Sequence, residues 1–182
     1  AEMVRFTRSG GEANAVAIRI SRAATGKDKV AICGYHGWHD WYLSNNIQDK
    51  DNLNKHLMKD TPIKGVPKNL KNTVFSFEYN NFEELKKIIS QHDIGTIKME
   101  VKRNTEPKNN FLQKIRKLAN DKNIVLIFDE CTSGFRQTFG GLHKYYGVNP
   151  DVAIFGKALG NGYAINSIVG KRSIMEACNS SF

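Results

Sequence analysis

The sequence predicts an α/β fold, a mostly parallel sheet with flanking helices. Three observations carry this prediction. Apolar runs of strand length alternate with segments of helical period. One run, Ile124, Val125, Leu126, Ile127 and Phe128, is apolar throughout, as a central parallel strand covered on both faces should be. Three of the strand ends carry glycines, acids or a lone lysine, and open parallel sheets bind ligands just beyond the carboxyl ends of their strands.

The elements follow in order. Residues 12–24 place Ala13, Val16, Ala17, Ile20 and Ala24 on one face of a helix. Lys29, Val30, Ala31, Ile32 and Cys33 read as a short buried strand. Residues 45–71 are polar and irregular, with Pro62, Gly65 and Pro67, and predict a long loop or excursion that covers a site or meets a partner subunit. Thr73, Val74, Phe75, Ser76 and Phe77 form the next strand candidate. Asn81 followed by Glu84 reads as a helix cap, and Phe82, Leu85, Ile88 and Ile89 give that helix its apolar stripe. Residues 94–101 predict a strand, then Phe111, Leu112, Ile115, Leu118 and Ala119 mark a helix. Val152, Ala153, Ile154 and Phe155 predict a further strand. The first residues read as though cut into the middle of a strand, and residues 178–182 close no element, so a fragment of a longer protein is expected.

Composition narrows the function classes. The 182 residues are 40% hydrophobic and 25% charged, an ordinary globular balance for one domain. No apolar run approaches the roughly eighteen residues of a membrane span. The net charge is +9, but the 19 lysines are scattered among acids with no basic stripe interleaved with aromatics. That pattern reads as a solvated surface and not a nucleic-acid footprint. Cys33, Cys131 and Cys178 are odd in number and far apart, with no metal spacing or disulfide framework, so a reducing cytoplasm is the expected compartment.

Four segments near strand ends concentrate chemistry. Ser9, Gly10, Gly11, Glu12 and Ala13 are a glycine turn opening into a helix, which suits a phosphate; a plain turn capped by Ser9 explains the same residues. Asp129 and Glu130 end the apolar strand. A carboxylate there needs a metal, an Arg or a protonated cofactor nitrogen, unless Asp129 simply caps the next turn. Lys157 lies between Gly156 and Ala158 after a buried strand; a lysine in a low-dielectric pocket loses its proton readily and forms a Schiff base. Tyr35, His36, Gly37, Trp38, His39, Asp40 and Trp41 are rich in aromatics. His36, His39 and Asp40 have metal-ligand chemistry, but no separate ligand cluster completes a zinc site; a ring stacked on a flat cofactor and a packed aromatic corner both remain open.

In this order the segments resemble the class III pyridoxal-phosphate aminotransferases, closest to the glutamate-1-semialdehyde aminomutase branch. The resemblance rests on Ser9-Gly10-Gly11-Glu12-Ala13, Tyr35-His36-Gly37, Asp129-Glu130-Cys131-Thr132-Ser133-Gly134-Phe135-Arg136 and Gly156-Lys157-Ala158-Leu159-Gly160, in register over nearly the whole chain. It implies the large domain of a fold type I transferase, partial over residues 1–182, with an N-terminal segment and a small C-terminal domain expected outside them. It also implies pyridoxal 5'-phosphate as cofactor, Lys157 as the residue of the internal aldimine and the proton-moving base, and Asp129 on the pyridine nitrogen. Gly10 and Gly11 would serve the phosphate, Tyr35 one ring face and Cys131 the other. Thr132 would lie near the ring hydroxyl, where the family often has Gln. Glu100 would be an acid behind the site, followed here by Val101 where many members have Pro.

The implied activity is transfer of an amino group between small amino and carbonyl substrates, or within one molecule as in an aminomutase. A homodimer is implied, with a phosphate-binding Thr from the neighbouring subunit expected just after Phe182. His39, Trp41 and Arg136 are candidates for the substrate side. Two other readings stand beside the enzyme: a non-catalytic module keeping the large-domain fold, and a dinucleotide-binding domain, whose glycine fingerprint is lacking.

Overall fold

The computed structural model describes residues 1–56 and 58–180; the expectations at Ser181 and Phe182 fall outside them. The strands are β1 (Met3–Thr7), β2 (Lys29–Cys33), β3 (Val74–Ser76), β4 (Ile94–Glu100), β5 (Val125–Asp129), β6 (Val152–Phe155) and β7 (Asn166–Gly170). The helices are α1 (Gly10–Thr25), α2 (Asp40–Leu43), α3 (Phe82–Gln91), α4 (Phe111–Asp121) and α5 (Arg172–Met175). One seven-stranded sheet runs in the order β1-β7-β6-β5-β4-β2-β3. The pairings of β3, β2, β4, β5 and β6 are parallel, while β7 runs antiparallel to both β6 and β1.

The pleat sends alternate residues to two cores. Ala13, Ala17, Ile18 and Ile20 of α1 pack on Val30, Ile32, Val125, Ile127 and Ile154. Leu85 of α3, with Phe111, Leu112 and Ile115 of α4, packs on Ala31, Ile97, Met99, Leu126 and Phe128. Both faces of β4 and β5 are therefore covered, which is why β5 is apolar up to Asp129. Each of the larger of these side chains (Val, Leu, Ile, Phe, Met) contributes about 1.5–3 kcal/mol on burial. Helix starts are fixed locally. Ser9 Oγ accepts from Glu12 N at 3.2 Å while the Glu12 carboxylate accepts from Arg8 N at 3.0 Å, a reciprocal cap. Asn81 Oδ1 accepts from Glu84 N at 3.1 Å, as its spacing predicts.

Two segments add to the sequence reading. No strand is named there after residues 152–155, yet β7 and the short α5 follow β6. Asn166, Ser167 and Gly170 are poor strand formers, and β7 forms because antiparallel neighbours on both sides satisfy its backbone. Residues 45–71 form the long excursion expected, and their described residues hold 3-10 turns at Ser44–Ile47, Asn52–Lys55 and Lys68–Leu70. Their polar composition hides a packed role. Asn46 Oδ1 accepts from Leu53 N and Asn52 Nδ2 donates to Asn45 O, both at 2.9 Å, in place of regular ladders.

Glu130, the residue after β5, is fully buried. It accepts hydrogen bonds from His143 Nδ1 at 2.7 Å, from the N–H groups of Leu142 and His143 at 2.9 Å each, and from Ser133 Oγ. These contacts tie residues 130–143 to the sheet. Burial pushes the Glu130 carboxyl up, but the bonds from His143 and Ser133 outweigh it and hold the group below its ordinary range. Its contribution to stability is therefore present above the unfolded value of about 4.3 and is lost as pH falls through the lower folded one. Glu130→Ala is expected to lower the unfolding free energy by about 3–5 kcal/mol near neutral pH and to flatten the acid limb of the stability profile. Denaturant titrations from neutral pH downward check both.

Candidate functional site

The carboxyl ends of the parallel strands share one edge of the sheet. Because β7 is reversed, its first residue, Asn166, lies at that edge opposite Thr7 and beside Phe155. The edge thus collects Gly10 and Gly11 after β1, Tyr35 and His36 after β2, Glu100 at the end of β4, Asp129, Cys131 and Thr132 around the end of β5, and Gly156 and Lys157 after β6.

Asp129 is the electrostatic centre of this edge. Its Oδ1 accepts from Cys131 N at 3.1 Å, so the turn-capping reading of this residue holds. Its Oδ2 lies 2.9 Å from His36 Nδ1 and 3.8 Å from Lys98 Nζ. Burial pushes the Asp129 carboxyl up, but the Lys98 charge and the His36 hydrogen bond more than compensate and hold it well below the usual carboxylate range. Burial, then the Lys98 charge, push His36 down against the pull of Asp129. His36 is thus neutral, and its Nδ1 carries the proton donated to the acceptor-only carboxylate. An ionised, fixed acid in a buried pocket suits a cation or a protonated heterocyclic nitrogen.

Lys157 presents its amine on the same edge, donating to Thr132 Oγ1 at 3.1 Å. The enclosed, low-dielectric setting expected of Lys157 is not found: the residue is exposed, because the 3-10 turn that carries it, Lys157–Leu159, lies beyond the sheet. Its backbone is held at φ 45°, in the left-handed region, a conformation non-glycine residues adopt at a cost of about 1–2 kcal/mol and one that clusters at functional sites.

Gly156 explains why no side chain precedes Lys157. A Cβ there would lie 1.9 Å from Asn166 Oδ1 and 3.3 Å from Cys131 Sγ. Gly156→Ala is expected to cost about 1–3 kcal/mol through overpacking and to displace Lys157; Asn166→Ala should restore much of the loss in the double variant. Thermal unfolding of the three proteins checks this.

Gly10 and Gly11 begin α1, and their N–H groups precede the first helical carbonyl that could accept them. They face the edge: a Cβ on Gly10 would meet Cys131 Sγ at 3.6 Å, and one on Gly11 would meet His39 at 3.0 Å. An anion is the natural ligand of such a terminus. Tyr35 is half-buried, set edge-on to Tyr42 with ring centroids 5.9 Å apart. Burial pushes the Cys131 thiol up, keeping it neutral and apolar in contact chemistry. Glu100 accepts from Tyr35 N at 3.2 Å and from Arg103 Nε at 3.0 Å, so it braces the turn after β2 and holds an Arg that the sequence reading did not single out. The metal alternative loses its ligands: His36 faces Asp129, whereas His39 stacks on Trp38 with centroids 4.7 Å apart. Trp41 is buried in the α1-side core, and Arg136 is exposed with Nε donating to Thr132 O at 2.7 Å. Lys98 and Asn166 were not foreseen. A lysine inside the run Ile94, Gly95, Thr96, Ile97, Lys98 and Met99 was the available signal for the first; nothing local marks the second.

The family model for class-III aminotransferases matches residues 1–181. The chain belongs to that family. Among curated class-III relatives, the glutamate-1-semialdehyde 2,1-aminomutase of Methanobrevibacter smithii is 41% identical over 97% of this chain and 42% of its own length. The 3-aminobutyryl-CoA aminotransferase of Cloacimonas acidaminovorans is 38% identical over 96% of this chain and 40% of its own length. The chain therefore spans about two fifths of these relatives. An omega-transaminase structure from Sphaerobacter thermophilus superposes with a TM-score of 0.80 at 29% identity, covering 95% of this chain and 41% of that one. A transaminase solved with PLP bound gives 0.81 at 26%, covering 96% and 41%. Among the described residues, no helix is long and apolar enough to cross a membrane.

Proposed function

We propose that this class-III chain is the cofactor-holding part of an enzyme that uses pyridoxal phosphate to transfer an amino group between an amino donor and a carbonyl acceptor. The observation that carries the reading is the pairing of Asp129, ionised and buried, with the Lys157 amine and the open start of α1 along one sheet edge. Each matches a different part of one ligand: the ring nitrogen, the aldehyde and the phosphate. A site made for a dinucleotide would use an acid for its ribose but would not require the amine.

Pyridoxal phosphate, when bound, supplies an aldehyde that condenses with amines and a ring that draws electrons away from the bonds being broken. Gly10 and Gly11 would hold the phosphate through their N–H groups. Asp129 would keep the ring nitrogen protonated, with His36 and Cys131 N fixing its carboxylate. Tyr35 and Cys131 would flank the ring, and Thr132 would lie by the ring hydroxyl while steering Lys157. Lys157 would bind the aldehyde in the resting enzyme and afterwards move the proton between carbon atoms as a general base and acid.

Small amino and carbonyl compounds are the substrate class. A homodimer is part of the proposal: Trp38, Phe139 and Tyr163 are 71%, 93% and 86% exposed, more aromatic surface than a lone subunit usually leaves in water. We place the protein in the cytoplasm, which accords with three buried, unpaired cysteines. The 41% identity to an aminomutase supports a second reading, transfer within one molecule.

The test is an absorption spectrum with added pyridoxal phosphate, then borohydride reduction and peptide mapping. A reduced adduct on Lys157 is expected; its absence overturns the reading. Separate donor and acceptor, against one molecule carrying both groups, then distinguish transaminase from aminomutase.

A further inference from the structure

Lys98 occupies the middle of β4, opposite Ile32 and Ile127 on the adjoining strands, and is fully buried. Its Nζ has no hydrogen-bond partner among the described residues, and its ion-pair partner is Asp129 Oδ2 at 3.8 Å. Packing alone does not call for an amine here. Methionine would fill the slot without taking an ammonium out of water, a heavy penalty for a group with no hydrogen bond.

The charges around Lys98 are few. Asp129 and Glu100 are the acids that act on it, and Glu100 is already held by Arg103. His36 is neutral, and the nearby Cys131 thiol is kept protonated by burial. Asp129 therefore has a cationic neighbour before any ligand arrives. Ligand and lysine must share one negative charge in a region where screening by water is weak.

We propose that Lys98 is a positioning residue acting through Asp129: its ammonium competes with the protonated ring nitrogen of the bound cofactor for the single carboxylate charge, so that the nitrogen is held less firmly than Asp129 alone would hold it. Burial pushes Lys98 down from the ordinary lysine range while the Asp129 charge holds it up, so the ammonium and the ring nitrogen draw on the same carboxylate. The inference rests on the pyridoxal-phosphate reading above.

The experiment uses the intact cofactor-free protein and two probes that cannot join Lys157. One is deoxypyridoxine phosphate, which keeps the ring nitrogen and the phosphate but has no aldehyde. The other is its carbocyclic counterpart, with CH in place of nitrogen. Calorimetric affinities are measured for the wild type and for Lys98→Met. The substitution is expected to tighten the nitrogen probe about tenfold, as removal of a like charge nearby should, and to leave the carbocyclic probe unchanged. Equal effects on both probes, or none, overturn the role of Lys98 while leaving the cofactor reading intact. Failure of the nitrogen probe to bind the wild type overturns both. Should Lys98→Met not fold, the nitrogen NMR signal of the labelled probe on the wild type decides: a shift short of full pyridinium is expected, and a full pyridinium shift refutes the competition.

Discussion

Lys157→Ala is expected to abolish the borohydride-reducible adduct with pyridoxal phosphate and to lower kcat by at least about a thousandfold, since it removes both the covalent anchor and the proton-moving base. The fold should survive. The side chain is exposed, its amine bonds a half-buried Thr132, and alanine meets the same left-handed backbone as lysine does. Peptide mapping, steady-state rates and a melting curve give three separate readouts. A persistent adduct on Lys157's peptide would require another attachment point. A collapsed melting transition would mean that Lys157 belongs to the scaffold after all.

Asp129→Asn separates binding from chemistry. The amide keeps the volume and its Oδ1 can still accept from Cys131 N, but an NH2 donor replaces the oxygen that faced His36 Nδ1, and no charge is left for the ring nitrogen or for Lys98. The adduct on Lys157 should therefore form, while turnover falls by about a hundredfold or more through lost electrostatic stabilisation. Stability should respond in a definite direction. Asp129 is held below its unfolded carboxyl value, so its contribution exists above that value and vanishes as pH falls toward the folded one. The variant is expected to be less stable than the wild type at neutral pH and closer to it in acid. Near-normal turnover, or a stability gap that widens in acid, contradicts this account of Asp129.

Much of this was legible in the sequence because the signals were local. The wholly apolar β5 reported its own burial on both faces, and Asn81 with Glu84 reported a helix start that the coordinates reproduce. Asp129 and Lys157 could be singled out because each is a polar residue at the end of an apolar run, and the four quoted motifs in register led to the family that the comparison shows. What escaped depends on contacts distant in sequence. β7 is a strand only because β6 and β1 flank it. Asn166 reaches the site only because that strand is reversed. Lys98 lies within a strand, and only the cover on both faces of β4, which depends on distant helices, shows that its amine is buried. The exposure of Lys157 was also hidden, since burial of the preceding strand does not extend to the turn that follows it.

The partnership of β1 with β7 has a consequence in time. Among the described residues β1 joins the sheet only through β7, well over a hundred residues further along the chain, pairing Met3 with Gly170 and Thr7 with Asn166. Closing so long a span of chain is slow compared with forming the local strand–helix units between. A chain emerging from the ribosome could thus assemble the acid of Asp129 on its central strands well before Gly10 and Gly11 are brought alongside. The anion-binding end of the site would arrive last, and the order in which the cofactor's contacts become possible is written into the topology.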